Sequence, residues 1–227
     1  LALFIIGACL AGGLLLLDRW QVGEFGLSQP IVACPLLGLL YGDLGTGLYF
    51  GAALQLVWIA ALPLGRAQSL DYQGAGVVAV VAHAFLTRAL KPGPEGDGKV
   101  VFACLVMASI ASFVGAQLDI WNKQANDHLY RRGAKAGTPS KSAGWHLAGL
   151  ASGFLRGAVL TGAFLGLAAL AARPLLLLPR FTRTELLALA LGLGLAGAAR
   201  MFASLRRLHW TAFGGVVAGL LWVFFRR

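Results

Sequence analysis

Acidic residues are scarce in this sequence: nine Asp and Glu stand against 19 Lys and Arg, and all charged types together make up 12% of 227 residues. That is about half the charged share of an ordinary soluble domain. It leaves too few polar side chains to clothe a water-soluble fold of this length. Cysteine is also sparse. Cys9, Cys34 and Cys104 lie at unrelated spacings inside apolar stretches, which argues against a disulfide framework or a cysteine metal site; they read as small core residues. No hydrophilic segment is long enough to be a separate catalytic module, so residues 1–227 read as a single membrane-embedded domain. No cofactor, metal-ligand set or catalytic constellation is legible.

What the chain has instead is apolar length. Hydrophobic residues make up 58% and the mean hydropathy is +0.76, so the bilayer is the natural solvent. The net charge of +10 sits mainly in short connections, with Lys123, Arg131, Arg132, Lys135 and Lys141 sharing one of them. Bases in that position are the ordinary membrane-topology signal and suit anionic headgroups. No basic stripe interleaves with aromatics, so nucleic acid is not an expected partner.

Read along the chain, residues 1–17 form a first membrane helix rather than a signal-peptide core, closed by Asp18-Arg19. Residues 30–41 and 46–62 are short apolar pieces. The first is interrupted by Pro35 and closed by Gly42-Asp43. Pieces too short to span upright read as re-entrant or broken helices, which need protein or a wet cavity around them. Residues 74–90 and 100–121 are further helices, separated by an exposed turn over 91–99. Residues 122–141 form the most hydrophilic stretch, read as a partly helical extramembrane loop. Residues 145–172 span, with a tilt or break at Arg156-Gly157. A leucine run over 174–179 precedes helices over 184–200, with Thr184 as a cap, and 209–225. The expected fold class is therefore all-α and polytopic, with re-entrant or broken helices in the N-terminal third. Many of the 31 glycines fall at small-xxx-small spacing, for example Gly47 with Gly51 and Gly153 with Gly157, and predict close helix packing within the chain.

Polar groups in apolar surroundings are costly and mark function. Most lie in the N-terminal third: Asp43, Gln55, Ser69, Asp71 and Gln73, with Trp58 on roughly the face of Gln55. Carboxylates, amides and hydroxyls bind sugar hydroxyls, and a ring such as Trp58 stacks on a sugar's apolar face. Each has a structural alternative. Asp43 suits an N-cap, Gln55 a bond to a neighbouring helix, Asp71 a solvated loop, and Trp58 plain packing. His83 reads as a hydrogen-bonded structural histidine, and Asp119 and Arg156 as residues near helix ends that pair or reach the interface.

The order Pro30, Gly42-Asp43, Thr46-Gly47, Gly51 and Asp71 resembles the N-terminal signature of the IIC subunits of the mannose/fructose/sorbose phosphotransferase family. The specific match covers about a fifth of the chain. The resemblance implies a multi-pass subunit of the bacterial plasma (inner) membrane that conducts a hexose-type sugar. It implies pairing with a IID membrane subunit, a higher oligomer of IIC–IID pairs, and soluble IIA and IIB proteins that carry the phosphoryl group, so that this chain is not itself an enzyme. The substrate-binding residues expected are Asp43, Gln55, Trp58, Ser69, Asp71 and Gln73. Three positions depart from the family pattern: Gln29 stands for an Arg, Gln55 for a Glu, and Pro63 for an Asn. Competing readings are a non-transporting regulatory or sensor relative of the same fold, a small transporter of another family, and an intramembrane serine protease using Ser152 with His83 or His209.

Overall fold

A computed structural model describes residues 1–19, 21–58, 70–135 and 138–201. Among these described residues seven α-helices follow one another: α1 (Ala2–Leu17), α2 (Pro30–Tyr41), α3 (Leu44–Val57), α4 (Tyr72–Leu90), α5 (Pro94–Ala134), α6 (Pro139–Ala171) and α7 (Arg183–Met201), with a 3₁₀ turn at Pro174–Leu177 before α7. Among the described residues there is no strand. The helix expected over 209–225 lies outside them.

α4, α5 and α6 are long and apolar enough to cross a membrane. At 1.5 Å per residue, α5 is about 61 Å long and α6 about 50 Å, well beyond the roughly 30 Å of a hydrocarbon core. α2 and α3, at about 18 Å and 21 Å, are too short to cross alone. They fold back on each other as a hairpin. Its turn is a Schellman motif: Asp43 N–H donates to Gly38 O (2.8 Å), Gly42 N–H donates to Leu39 O (3.2 Å), and Gly42 takes the left-handed φ of 82° that a side chain would oppose. Asp43 then caps α3, its Oδ1 accepting from Thr46 N–H at 3.0 Å.

α4 is the central element. Every residue from Gln73 to Leu86 is buried, and α1, α2, α3, α5 and α6 all pack on it. A helix buried all round must offer small side chains to several neighbours, and its run Gly-Ala-Gly-Val-Val-Ala-Val-Val-Ala does so. α1 lies along α6, and α7 along α3. The outer surface is apolar: Leu3, Ile6, Leu10 and Leu14 form an exposed stripe on α1, and Ile110 and Phe113 on α5 and Leu155 and Leu170 on α6 are likewise exposed. Meanwhile Arg19, Asp71, His83, Asp119 and Arg156 are buried. Apolar outside with charge inside is the arrangement that lipid demands.

Four expectations are corrected. α2 runs unbroken through Pro35. The proline forfeits one ladder bond, but packing against α3 holds this short helix. α6 is continuous through Arg156-Gly157, because Gly157 serves a helix crossing and Arg156 is paired internally. Residues 122–141 are more helical than the partly helical loop expected: α5 continues to Ala134 and α6 begins at Pro139, since Lys, Arg and Ala carry a helix into water as readily as a coil. The start of α7 is capped by Thr182 rather than Thr184. Thr182 Oγ1 accepts from Glu185 N–H (3.2 Å) and Glu185 Oε2 accepts from Thr182 N–H (2.9 Å), a reciprocal capping box. Thr182→Ala is expected to lower stability by about 1 kcal/mol, seen as faster amide exchange confined to the first turn of α7; uniform protection would contradict the cap.

Candidate functional site

The strongest concentration of buried charge lies where α1 ends and α4 begins. Arg19, just past α1, donates to Asp71 Oδ1 and lies 3.2 Å from Asp119 Oδ2 of α5. Arg156, midway along α6, donates to Asp119 Oδ1 and, at 3.2 Å, to Asp71 Oδ2. Two guanidinium and two carboxylate groups thus alternate in a set of zero formal charge, and Asp71 at its centre is wholly buried. Burial of four charges is tolerable only with this degree of mutual pairing. Asp71 also caps α4 through Gly74 N–H (2.8 Å), and its own N–H donates to Ser112 O of α5 (2.9 Å). The quartet fixes the point at which the chain enters α4 after residues 59–69.

Asp18, one residue earlier, folds the α1–α2 connection. Its Oδ1 accepts from Phe25 N–H (2.7 Å), and its Oδ2 from the N–H and hydroxyl of Ser28 (3.0 and 3.1 Å). That brings Gln29 to the start of α2, where its amide donates to the Tyr72 hydroxyl (3.3 Å). Gln55, late in α3, accepts from Ile31 N–H (3.3 Å) and so satisfies a backbone donor at the head of α2. Gln73, on the first turn of α4, is buried, and its Oε1 has no hydrogen-bond partner among the described residues. Three side-chain amides, Gln29, Gln55 and Gln73, therefore sit at one end of the bundle, beside the Asp71 anchor.

Asp43 is elsewhere. It lies at the opposite end of the α2–α3 hairpin, twelve residues or about 18 Å of helix from Gln55. There it borders a cavity of 220 Å³ with Tyr41, His83 and Thr87. Trp58 ends α3 and lines a different, apolar recess of 150 Å³ with Phe102, Val106, Leu186 and Leu193. Ser69 lies outside the described residues, as do Pro63 and His209. The structure thus brings Gln55, Asp71 and Gln73 to one end and places Asp43 and Trp58 apart. Asp71 faces Arg19 and Arg156 rather than water. His83, expected to be hydrogen-bonded, stands edge-on to Phe50 with its Nε2 3.8 Å from Asp97 Oδ1, beyond bonding distance. Ser152 accepts from Asn122 Nδ2 at 2.6 Å; its partner is an amide, not the base a serine nucleophile requires.

Sequence reasoning missed the quartet as a unit. Its signal was present: Asp119 and Arg156 are opposite charges inside two long apolar segments, and Arg19 and Asp71 border two more. Charges of equal number and opposite sign in such surroundings call for one another.

A helical bundle with an apolar exterior, a re-entrant hairpin and paired charges buried in its interior defines a polytopic membrane protein. Its fold is shared with two solved structures. One is described as a membrane protein (TM-score 0.64, 20% identity, 96% of this chain and 85% of that one). The other belongs to a cryo-EM structure of the mannose transporter ManYZ with microcin E492 (TM-score 0.54, 22% identity, 96% of this chain and 84% of that one). Over residues 1–199 the chain matches the family described as the sorbose-specific IIC component of the phosphotransferase system, and it belongs to that family. Among curated relatives, the sorbose-specific EIIC component of Klebsiella pneumoniae is 36% identical over 81 residues, 36% of this chain and 28% of the relative. The mannose-specific EIIC component of Escherichia coli K12 is 31% identical over 81 residues, 36% of this chain and 29% of the relative. The fructose permease IIC component of Bacillus subtilis is 34% identical over 79 residues, 35% and 28%. The matched stretch spans less than a third of each of these relatives.

Proposed function

We propose that this chain is the sugar-conducting IIC subunit of a mannose-type phosphotransferase system in the bacterial plasma membrane. It works with a IID membrane subunit, in a higher oligomer of IIC–IID pairs, and with soluble IIA and IIB proteins that perform the phosphoryl transfer. Its cargo is a hexose-type sugar. The observation that carries the reading is the convergence of Gln29, Gln55 and Gln73 on the end of the bundle where residues 59–69 join α3 to α4. Amides offer both donors and acceptors, which matches the dual character of sugar hydroxyls without imposing a charge. Gln73 Oε1 is an acceptor with no partner among the described residues, and a buried group of that kind gains most from a ligand's hydroxyl. Asp71 acts here as a positioning residue: locked between two arginines, it holds the start of α4 in place.

The test is uptake of labelled mannose, fructose and sorbose by cells that depend on this chain, its level checked by immunoblot. Gln55→Ala and Gln73→Ala are each expected to reduce uptake about tenfold, the worth of one hydrogen bond of roughly 1.4 kcal/mol. Unchanged uptake in both variants would remove the amide cluster from the sugar's path. Asp71→Ala is a poor probe of binding, because it breaks the quartet as well.

A further inference from the structure

The cavity beside Asp43 is lined by three polar groups that lack a hydrogen-bond partner among the described residues. The hydroxyls of Tyr41 and Thr87 and the Nε2 of His83 are all buried, and none has a hydrogen-bond partner among the described residues. His83 is 3% exposed. All three residues line the same 220 Å³ space, together with Asp43 and Arg88. An orphaned polar atom costs on the order of 1–3 kcal/mol, so three around one cavity signal a site whose occupant supplies the missing bonds.

The walls define that occupant. Arg88 is committed to them: its guanidinium donates to Ala84 O (2.9 Å) and Tyr41 O (3.0 Å) and lies over the Phe4 and Tyr41 rings. Arg183 is held by Asp97 (2.6 and 2.9 Å) and donates to the Thr46 hydroxyl (3.0 Å). Asp43 and Arg88 are the charged residues of the lining and offset one another, while Asp97 offsets Arg183 behind Thr46, so neither an anion nor a cation is favoured. Two hydroxyls and an imidazole nitrogen each pair with an O–H group. The volume equals about seven waters of liquid, the scale of one small polyol ring and not of an oligosaccharide.

The geometry points to a second station for a neutral, hydroxyl-rich small molecule of monosaccharide size, held by Tyr41, His83, Thr87 and Asp43 at the end of the α2–α3 hairpin remote from Gln55. The inference rests on the sugar-conducting reading for the identity of its ligand, but it concerns a separate site.

The experiment is equilibrium binding of radiolabelled mannose, fructose and sorbose, one at a time, to the full chain in lipid nanodiscs. Wild type is compared with Gln55→Ala and with the double variant Tyr41→Phe/Thr87→Val, which removes two hydroxyls and little volume. The expected result is a binding component that survives Gln55→Ala and weakens at least tenfold in the double variant, while the double variant's melting temperature stays level or rises because no protein bond is lost. Binding by the double variant identical to wild type overturns the station, leaving a cavity that holds water only, and keeps the Gln55 site. A fall in melting temperature also overturns it, because the hydroxyls then serve the fold. No binding of any of the three sugars to wild type overturns both the station and the function proposed above.

Discussion

Arg156→Leu is expected to leave most of the protein unable to survive extraction from the membrane. Arg156 is 5% exposed and donates to both carboxylates of the buried quartet. Removing it takes from Asp71 and Asp119 a cation that both of them face, and leaves the four-residue set with one negative charge in excess. Breaking one partner out of a buried ionic set costs about 3–5 kcal/mol, a large part of the stability of a typical domain. The check is the melting temperature of detergent-solubilised protein followed by size-exclusion chromatography. Arg156→Leu/Asp119→Leu restores charge balance, because Arg19 and Asp71 still face each other. Apolar replacement of a whole buried pair is often neutral, so the double variant is expected to recover most of the loss. A single variant that melts like wild type would mean the quartet carries no weight in the fold.

The second large effect is expected at the α1–α6 crossing. A side chain on Gly157 would bring its Cβ to 2.7 Å from Gly12 O and 3.0 Å from Gly13 Cα. Both are backbone atoms, which cannot swing aside as a side chain can. Gly157→Val must therefore push the helices apart, at a cost of about 1–3 kcal/mol or more. Moving α6 outward also strains Arg156, the neighbouring residue. Gly166→Ala on the same helix is the control: nothing lies within 4 Å of its Cβ position. It is expected to be neutral or slightly stabilising, because alanine favours helix over glycine. Equal melting temperatures for Gly157→Val and wild type would refute the close crossing.

The two predictions concern a feature that pattern reading reached and one that it missed. Gly47 and Gly157 were legible as packing glycines. A Cβ on Gly47 would lie 2.9 Å from Gly38 Cα in the α2–α3 hairpin, since small residues at helical spacing have one common use in an apolar helix. The hairpin itself was legible from its two short apolar runs and from Gly42-Asp43. So was the cap: an aspartate placed three residues before the N–H it accepts is a local relationship. By contrast, Arg156 read as a residue near a helix break that pairs or reaches the interface, with its partners unspecified. Its real partners lie 37 and 85 residues away along the chain, and periodicity carries no information about which distant helix will face it.

The same limit governs the site. Asp43, Gln55, Asp71 and Gln73 crowd into 31 positions of the sequence, and proximity in sequence invited a single site. A 14-residue helix, α3, stands between the first two and carries them to opposite ends of the bundle. Trp58 follows Gln55 by three residues, yet the end of α3 turns its ring towards α5 and α7.

The sequence by itself determined the solvent, the helical class, the re-entrant hairpin and the family, because these depend on composition, on local spacing and on a short ordered motif. Only the tertiary structure decided which charges neutralise one another, which amides gather at the end of α4, and which hydroxyls are left around an open cavity. The physical reason is that local propensities act over a few residues of one helix. Pairing of buried charge and the lining of a cavity instead depend on how five helices cross α4, and that is settled by close contact between segments far apart in the chain.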